Sequence, residues 1–174
     1  VFSRLKRRWK RSVLVVVPRD PNRAVQVRRL FAEKGWSAAL WSQLDPSSFQ
    51  DKAEVVVADV LGVLGRLYAV ADVAFVGGSL VPCGGHNPLE PAALERPVLF
   101  GPHMSDFSTI AQSLVESGGA VQVRDGDDLY EHMAHLFQDE RRLKEMGKSA
   151  LRVFEENKGA ADETLTVLRG VLNH

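Results

Sequence analysis

The sequence predicts an α/β protein built on an open, doubly wound, mostly parallel sheet of about six strands with helices on both faces. Three observations predict it. Short β-branched apolar runs recur along the chain, stretches with apolar residues at helical spacing separate them, and loops rich in glycine or proline follow the runs. With 174 residues, 45% of them apolar, the chain is long enough to bury a substantial core without disulfides.

The elements follow in order. Residues 12–18 (SVLVVVP) are β-branched and closed by proline, as a strand covered on both faces should be. Residues 22–34 place Val25, Val27, Leu30 and Phe31 among charged neighbours at roughly helical spacing, and Gly35 suits the helix end. Strands are predicted at 37–41 and 54–58, then a helix at 64–70 and a strand at 73–76. A helix starting at Pro88 leads to a strand at 97–100, a helix at 107–117, a strand at 120–123 and helices over most of 129–172. In such sheets ligands bind beyond the carboxyl ends of the strands. The chemistry is therefore expected in three loops, 18–22, 59–63 and 77–90.

Composition excludes several classes. One cysteine, Cys83, cannot form an internal disulfide, and there is no signal peptide and no apolar run long enough to span a bilayer. The chain reads as soluble, and its start at Val1 instead of methionine is what a piece of a longer protein would show. Net charge is zero, yet residues 1–29 carry ten Lys or Arg against one acid, Asp20. Residues 1–11 are expected to be a basic linker or N-terminal extension, able to lie against an anionic membrane surface, with a nucleotide-binding domain at 12–174. Nucleic acid is not an expected partner, because the basic residues sit at one end without interleaved aromatics.

The richest stretch for chemistry is 71–102, ADVAFVGGSLVPCGGHNPLEPAALERPVLFGP. Gly77, Gly78, Gly84 and Gly85 allow positive φ and close approach of the backbone to a ligand. Asn87 fits a helix cap and Pro88 the first helical position, so free amides at the helix start offer an anion site suited to a phosphate. Glu90, in the first turn, can either complete a capping interaction or accept hydrogen bonds from ribose hydroxyls. His86 can act as a cation beside the phosphate or as a packing residue of the loop. A dinucleotide GxGxxG and a P-loop GK[ST] are both missing. His132 and His135 share a helix face without a third ligand, so no metal is expected. Cys83 has no partner motif for nucleophilic chemistry.

The string GGSLVPCGGHNPLEPAAL followed by PVLFGPHMSDF closely resembles the donor-domain signature of 3-deoxy-D-manno-octulosonic acid (Kdo) transferases of lipopolysaccharide synthesis. The resemblance extends over VVVPRDPNR, DVLGVLGRLYAVADVAFVGG and the NKGA that begins at Asn157. It implies the C-terminal, Rossmann-like domain of a two-domain GT-B glycosyltransferase, binding CMP-Kdo or CMP. The N-terminal domain would hold the general base and the lipid A precursor, at the cytoplasmic face of the inner membrane of a Gram-negative bacterium. By the same resemblance Pro18 and Arg19 contact the nucleotide, with Arg19 pairing phosphate or the Kdo carboxylate. Leu61, Gly62 and Val63 stand where the family usually has Met-Gly-Glu, and Asn87, Pro88, Leu89 and Glu90 keep its Asn-Pro-Leu-Glu. Gly78, Ser79 and His86 complete the expected contacts.

Three departures accompany these matches. Val63 removes a carboxylate, which leaves recognition at that loop to backbone groups; Asp20 replaces a frequent His and Cys83 a frequent basic residue. The implied activity is Kdo transfer without metal or cofactor, with this chain inactive alone because the base lies elsewhere. The alternatives are the donor domain of a GT-B enzyme using a UDP-sugar, a UDP-N-acetylglucosamine 2-epimerase, or a noncatalytic α/β partner-binding module.

Overall fold

The computed structural model describes residues 1–44 and 53–172, with side chains as far as residue 158. The last two residues of the NKGA segment fall outside the described side chains. The chain divides into two compact units, Val1–Leu67 and Tyr68–His174.

In the first unit, α1 (Phe2–Arg8) precedes β1 (Leu14–Val16), a 3-10 turn (Pro21–Arg23) and α2 (Ala24–Glu33). Next come β2 (Ala38–Leu40), a second 3-10 turn (Trp41–Gln43), β3 (Val55–Val57) and the start of α3 (Leu64–Val70). The sheet is parallel in the order β1-β3-β2, with Leu14 opposite Val55 and Leu40 opposite Val57. A central strand in a parallel sheet is covered on both faces, which is why β3 consists of three valines, all fully buried. Ala24, Leu40, Val55 and Val57 form the core, closed by Phe31, Trp36 and Phe2. The Phe2 and Trp36 rings lie 4.9 Å apart at 48°. Residues 1–11, read from the sequence as a basic linker or N-terminal extension, carry α1 in the structure. Phe2 and Leu5 are one helical turn apart, and Leu5 is 4% exposed.

The second unit holds β4 (Ala74–Val76), the single turn α4 (Leu89–Ala92), β5 (Val98–Phe100) and a 3-10 turn (Ser105–Phe107). It continues with α5 (Ser108–Glu116), β6 (Ala120–Gln122), α6 (Gly126–Leu136) and α7 (Glu140–Leu172). Its sheet is also parallel, in the order β4-β5-β6. The alternation of β5 divides two cores. Val98 and Phe100 point to Leu114 of α5 and to Ala150 and Val153 of α7, while Leu99 points to Leu129 and Leu136 of α6. Burying Phe100 and Leu99 stabilises the unit by roughly 1.5–3 kcal/mol each. Asp125 caps α6 by accepting from the N–H groups of Asp127 and Asp128, both at 2.9 Å.

The six expected strands and the α/β class are therefore present, arranged as two three-stranded parallel sheets, each within its own unit. The helix expected from Pro88 is only one turn long, because Glu95 leaves helical geometry at φ 59° on the way into β5.

Candidate functional site

In the first unit the expected residues lie at strand ends. Pro18 and Arg19 follow β1; Pro18 is half-buried and Arg19 exposed. Asp20 accepts from the main-chain N–H of Asn22 at 3.0 Å and from its amide at 2.9 Å, forming a tight turn that starts the 3-10 segment. The residue replacing the family's frequent His thus has a local job, fixing the backbone immediately after Arg19. Beyond β3, Leu61 is 83% exposed and Gly62 has φ 78°. Val63 turns inward against Ala58, Leu67 and Trp41. Its side chain is thus occupied by packing, which leaves the Leu61 side chain and the main-chain groups of this loop facing outward.

Asp59, just before that loop, is tied to the other strand end. The Ser42 main-chain N–H donates to it at 2.9 Å, and the Ser42 hydroxyl makes a second, short hydrogen bond to its other oxygen. Burial pushes the Asp59 carboxyl up, but the Ser42 hydroxyl and N–H together hold it below the ordinary aspartate value.

In the second unit the glycine-rich loop runs from the end of β4 to α4. Gly78, Gly84 and Gly85 take φ of 71°, 80° and 75°, conformations that side-chain-bearing residues rarely adopt. The loop closes on itself through Gly85 N–H to the Gly78 carbonyl at 3.2 Å and His86 N–H to the Gly77 carbonyl at 3.1 Å. The exposed His86 imidazole lies over Gly77, where an added Cβ would sit 3.3 Å from its Cδ2. Asn87 Oδ1 accepts from the Leu89 N–H at 3.0 Å, spanning Pro88, which holds the N-cap position of α4. A four-residue helix carries little macrodipole, so the attraction of this corner for an anion rests on its loop amides and side chains. Pro88 is buried, Leu89 half-buried and Glu90 exposed in the first turn.

Ser79, which follows Gly78 in the loop, is turned inward. It is 0% exposed, its hydroxyl donates to the Val76 carbonyl at 2.6 Å and accepts from Gly101 N–H at 2.8 Å. With both roles taken, its side chain supports the loop from behind. Sequence reading also missed Tyr68 of α3, whose phenol is pushed up to about 12 by burial and then by the negative charge of Glu90. Nor did it single out Met104 and Asp106, which press on Gly85 and Gly84. Helical spacing pointed only to a helix around Tyr68; nothing local tied Met104 or Asp106 to a loop some twenty residues earlier.

Three of the remaining expectations concern single groups. Cys83 is an exposed free thiol. His132 lies 3.7 Å from the Asp128 carboxylate one helical turn away, and His135 is exposed. No cluster of three or more His, Cys, Asp or Glu suited to a metal occurs among the described residues.

Two short parallel α/β sheets, with a glycine-rich loop and helix entry beyond the first strand of the second, define a Rossmann-like α/β domain. Comparison with known proteins narrows the class. The chain is 34% identical over 161 residues to the 3-deoxy-D-manno-octulosonic acid transferase of Haemophilus influenzae, an alignment covering 92% of this chain and 37% of that protein. It is 39% identical over 140 residues to the corresponding transferase of Chlamydia muridarum, covering 78% of this chain and 32% of that protein. The crystal structure of the C-terminal CMP-Kdo binding domain of WaaA from Acinetobacter baumannii shares the fold, with a TM-score of 0.74 at 23% identity, over 87% of this chain and 95% of that one. No protein-family model matches the chain. The chain is a homologue of the Kdo transferases, which are glycosyltransferases, and it spans about a third of the length of these curated relatives.

Proposed function

We propose that this chain is the part of a Kdo transferase that binds the donor, CMP-Kdo, through its nucleotide. The observation that carries this reading is the second-unit loop: Asn87 bonded to the Leu89 N–H at the start of α4, with the Glu90 carboxylate exposed in the first turn after a loop whose Gly78, Gly84 and Gly85 take positive φ. An exposed carboxylate at that position suits a pair of ribose hydroxyls, and the loop amides suit the phosphate. Arg19, exposed and preceding a turn fixed by Asp20, suits the phosphate or the donor carboxylate. The main-chain groups of Leu61, Gly62 and Val63 suit the base. That assignment follows from the inward-turned Val63 side chain, which leaves no carboxylate at this loop.

Within the longer protein, the reaction is attack by a hydroxyl of a lipid A precursor on the anomeric carbon of Kdo, with CMP leaving. This chain's contribution is to hold the donor and to stabilise the phosphate charge that develops on CMP. The proton of the attacking hydroxyl is taken by a base supplied from outside this chain, so the chain alone binds CMP and transfers nothing. Neither a metal nor a cofactor enters this scheme.

The intact enzyme works at the cytoplasmic face of the inner membrane. No described helix is long and apolar enough to cross a membrane. The exposed Arg7, Arg8, Lys10 and Arg11 are suited to contact with anionic lipid there.

The test is isothermal calorimetry of the chain with CMP, UMP and UDP, beside an assay for Kdo transfer. CMP-selective, saturable binding without transfer supports the reading. Preference for UDP would move the chain to a UDP-sugar enzyme, and transfer by the chain alone would contradict the placement of the base.

A further inference from the structure

The glycine-rich loop is held from behind by a second segment that the donor reading does not use. Residues 101–107, the turn between β5 and α5, meet the loop at several places. Gly101 N–H donates to the Ser79 hydroxyl at 2.8 Å, and His103 N–H donates to the Ser79 carbonyl at 2.9 Å. Asp106 N–H donates to the Gly84 carbonyl at 3.1 Å. Side chains complete the contact, because the Asp106 carboxylate covers the space a Cβ on Gly84 would need and the Met104 sulfur covers that of Gly85. Gly101 is held equally close: a Cβ there would collide with the main chain at Ser79. Gly84 and Gly85 are required for their positive φ, and the Asp106 and Met104 side chains rest against them.

Such a seam has a consequence for binding. A loop containing several glycines loses much conformational entropy when it is ordered, and a ligand that must order it binds more weakly by the fraction of time the loop spends in the right shape. A loop already fixed by buried hydrogen bonds avoids that loss. Ser79 is the most buried member of the seam, at 0% exposed, and joins the end of β4 to the start of the turn through its single hydroxyl.

We propose that the turn over residues 101–107 is the template of the nucleotide loop, with Ser79 and Asp106 as positioning residues that set residues 77–86 in their binding geometry before any ligand arrives. The proposal rests on the donor-site reading for its link to nucleotide affinity, but its structural half stands without it. Neither side chain is required to touch the ligand.

Two measurements on the intact chain separate the possibilities. The first is amide hydrogen exchange of the free protein, reading the Gly85 and His86 N–H groups whose partners are the Gly78 and Gly77 carbonyls. Ser79→Ala and Asp106→Ala are expected to speed exchange at Gly85 and His86 while leaving the Val55–Val57 strand protected, and Asp106→Asn, which keeps the shape, is expected to restore protection. The second is CMP affinity at a temperature where all variants are folded. If the fraction of correctly shaped loop falls to about a tenth, the apparent affinity for CMP falls about ten-fold in Ser79→Ala and Asp106→Ala, with Asp106→Asn near the parent. Unchanged exchange at Gly85 and His86 in both alanine variants overturns the template. Faster exchange with unchanged affinity overturns its role in binding. Absence of CMP binding by the parent chain would sink the donor reading alone, and the exchange result would still decide whether the turn holds the loop.

Discussion

The two units treat recognition differently. The first carries 13 Lys or Arg against 6 Asp or Glu, and its candidate contacts are an exposed side chain, Arg19, and the outward main chain of a short loop. The second carries 9 Lys or Arg against 16 acids, and its candidate contacts sit on a loop whose backbone is bonded to the neighbouring turn at Ser79 and Gly84. An acidic unit that is to bind an anionic nucleotide gains little from long-range attraction and must rely on fixed local donors. A basic unit can use one flexible guanidinium and general attraction. The second unit is accordingly expected to fail through geometry, the first through charge, and substitutions can set these two modes apart.

The largest effect is expected at Gly101. Gly101→Ala forces a Cβ into the Ser79 main-chain oxygen, which cannot rotate away, so the chain should lose roughly 2 kcal/mol or more of stability, read by denaturant unfolding monitored in the second unit. Arg19→Ala removes charge without touching packing. It should leave the thermal midpoint unchanged while weakening CMP about ten- to a hundred-fold, the range for one hydrogen bond to a charged group, with the loss shrinking at high salt. Asp125→Ala removes the cap of α6 and should cost about 1 kcal/mol of stability with CMP affinity unaffected, marking that helix as scaffold.

Two smaller effects concern titration. Tyr68 is held neutral to about 12 against an ordinary 10.0, first by burial and then by Glu90. Its stabilising effect is complete below the ordinary value and is lost as pH rises through the folded one, so stability should decline between pH 10.0 and about 12. Glu90→Gln should lower the phenol's midpoint in an ultraviolet titration without bringing it back to normal, since burial is the larger cause. Asp59 has the opposite sign. Its lowered carboxyl stabilises the folded chain above the ordinary aspartate value and ceases to do so as pH falls through its folded value, and Ser42→Ala should raise that midpoint in a carbon-detected NMR titration.

Much of this was legible in residue order. VLVVV followed by PRD marked a strand and the turn after it, and Asn87, Pro88 and Glu90 marked a helix entry, because turns and β-branched runs act over a few neighbours. The expected cover on both faces of that strand is absent, since β1 is an edge of its sheet and Val13, Val15 and Val17 are exposed. Other features were not legible because they depend on distant partners. Ser79 reads as one more polar loop residue until Gly101, 22 residues away, is seen to donate to it. Met104 and Asp106 carry no motif, and their contact with Gly84 and Gly85 arises only when β4 and β5 pair. The basic run at the amino end reads as a linker or N-terminal extension because its charges outnumber its apolar residues; it carries α1, with Phe2 packed against the first unit's core and Leu5 buried. The distribution of six strands between two sheets depends on pairing partners, which strand periodicity does not encode.

The most direct test of the donor-site account is the calorimetric titration of the chain with CMP, run beside Glu90→Ala. Saturable CMP binding in preference to UMP, weakened at least about ten-fold by Glu90→Ala in a protein of unchanged thermal midpoint, is the predicted result. CMP binding of equal strength in Glu90→Ala would contradict the account, because the ribose would then be held without the carboxylate on which the site is built.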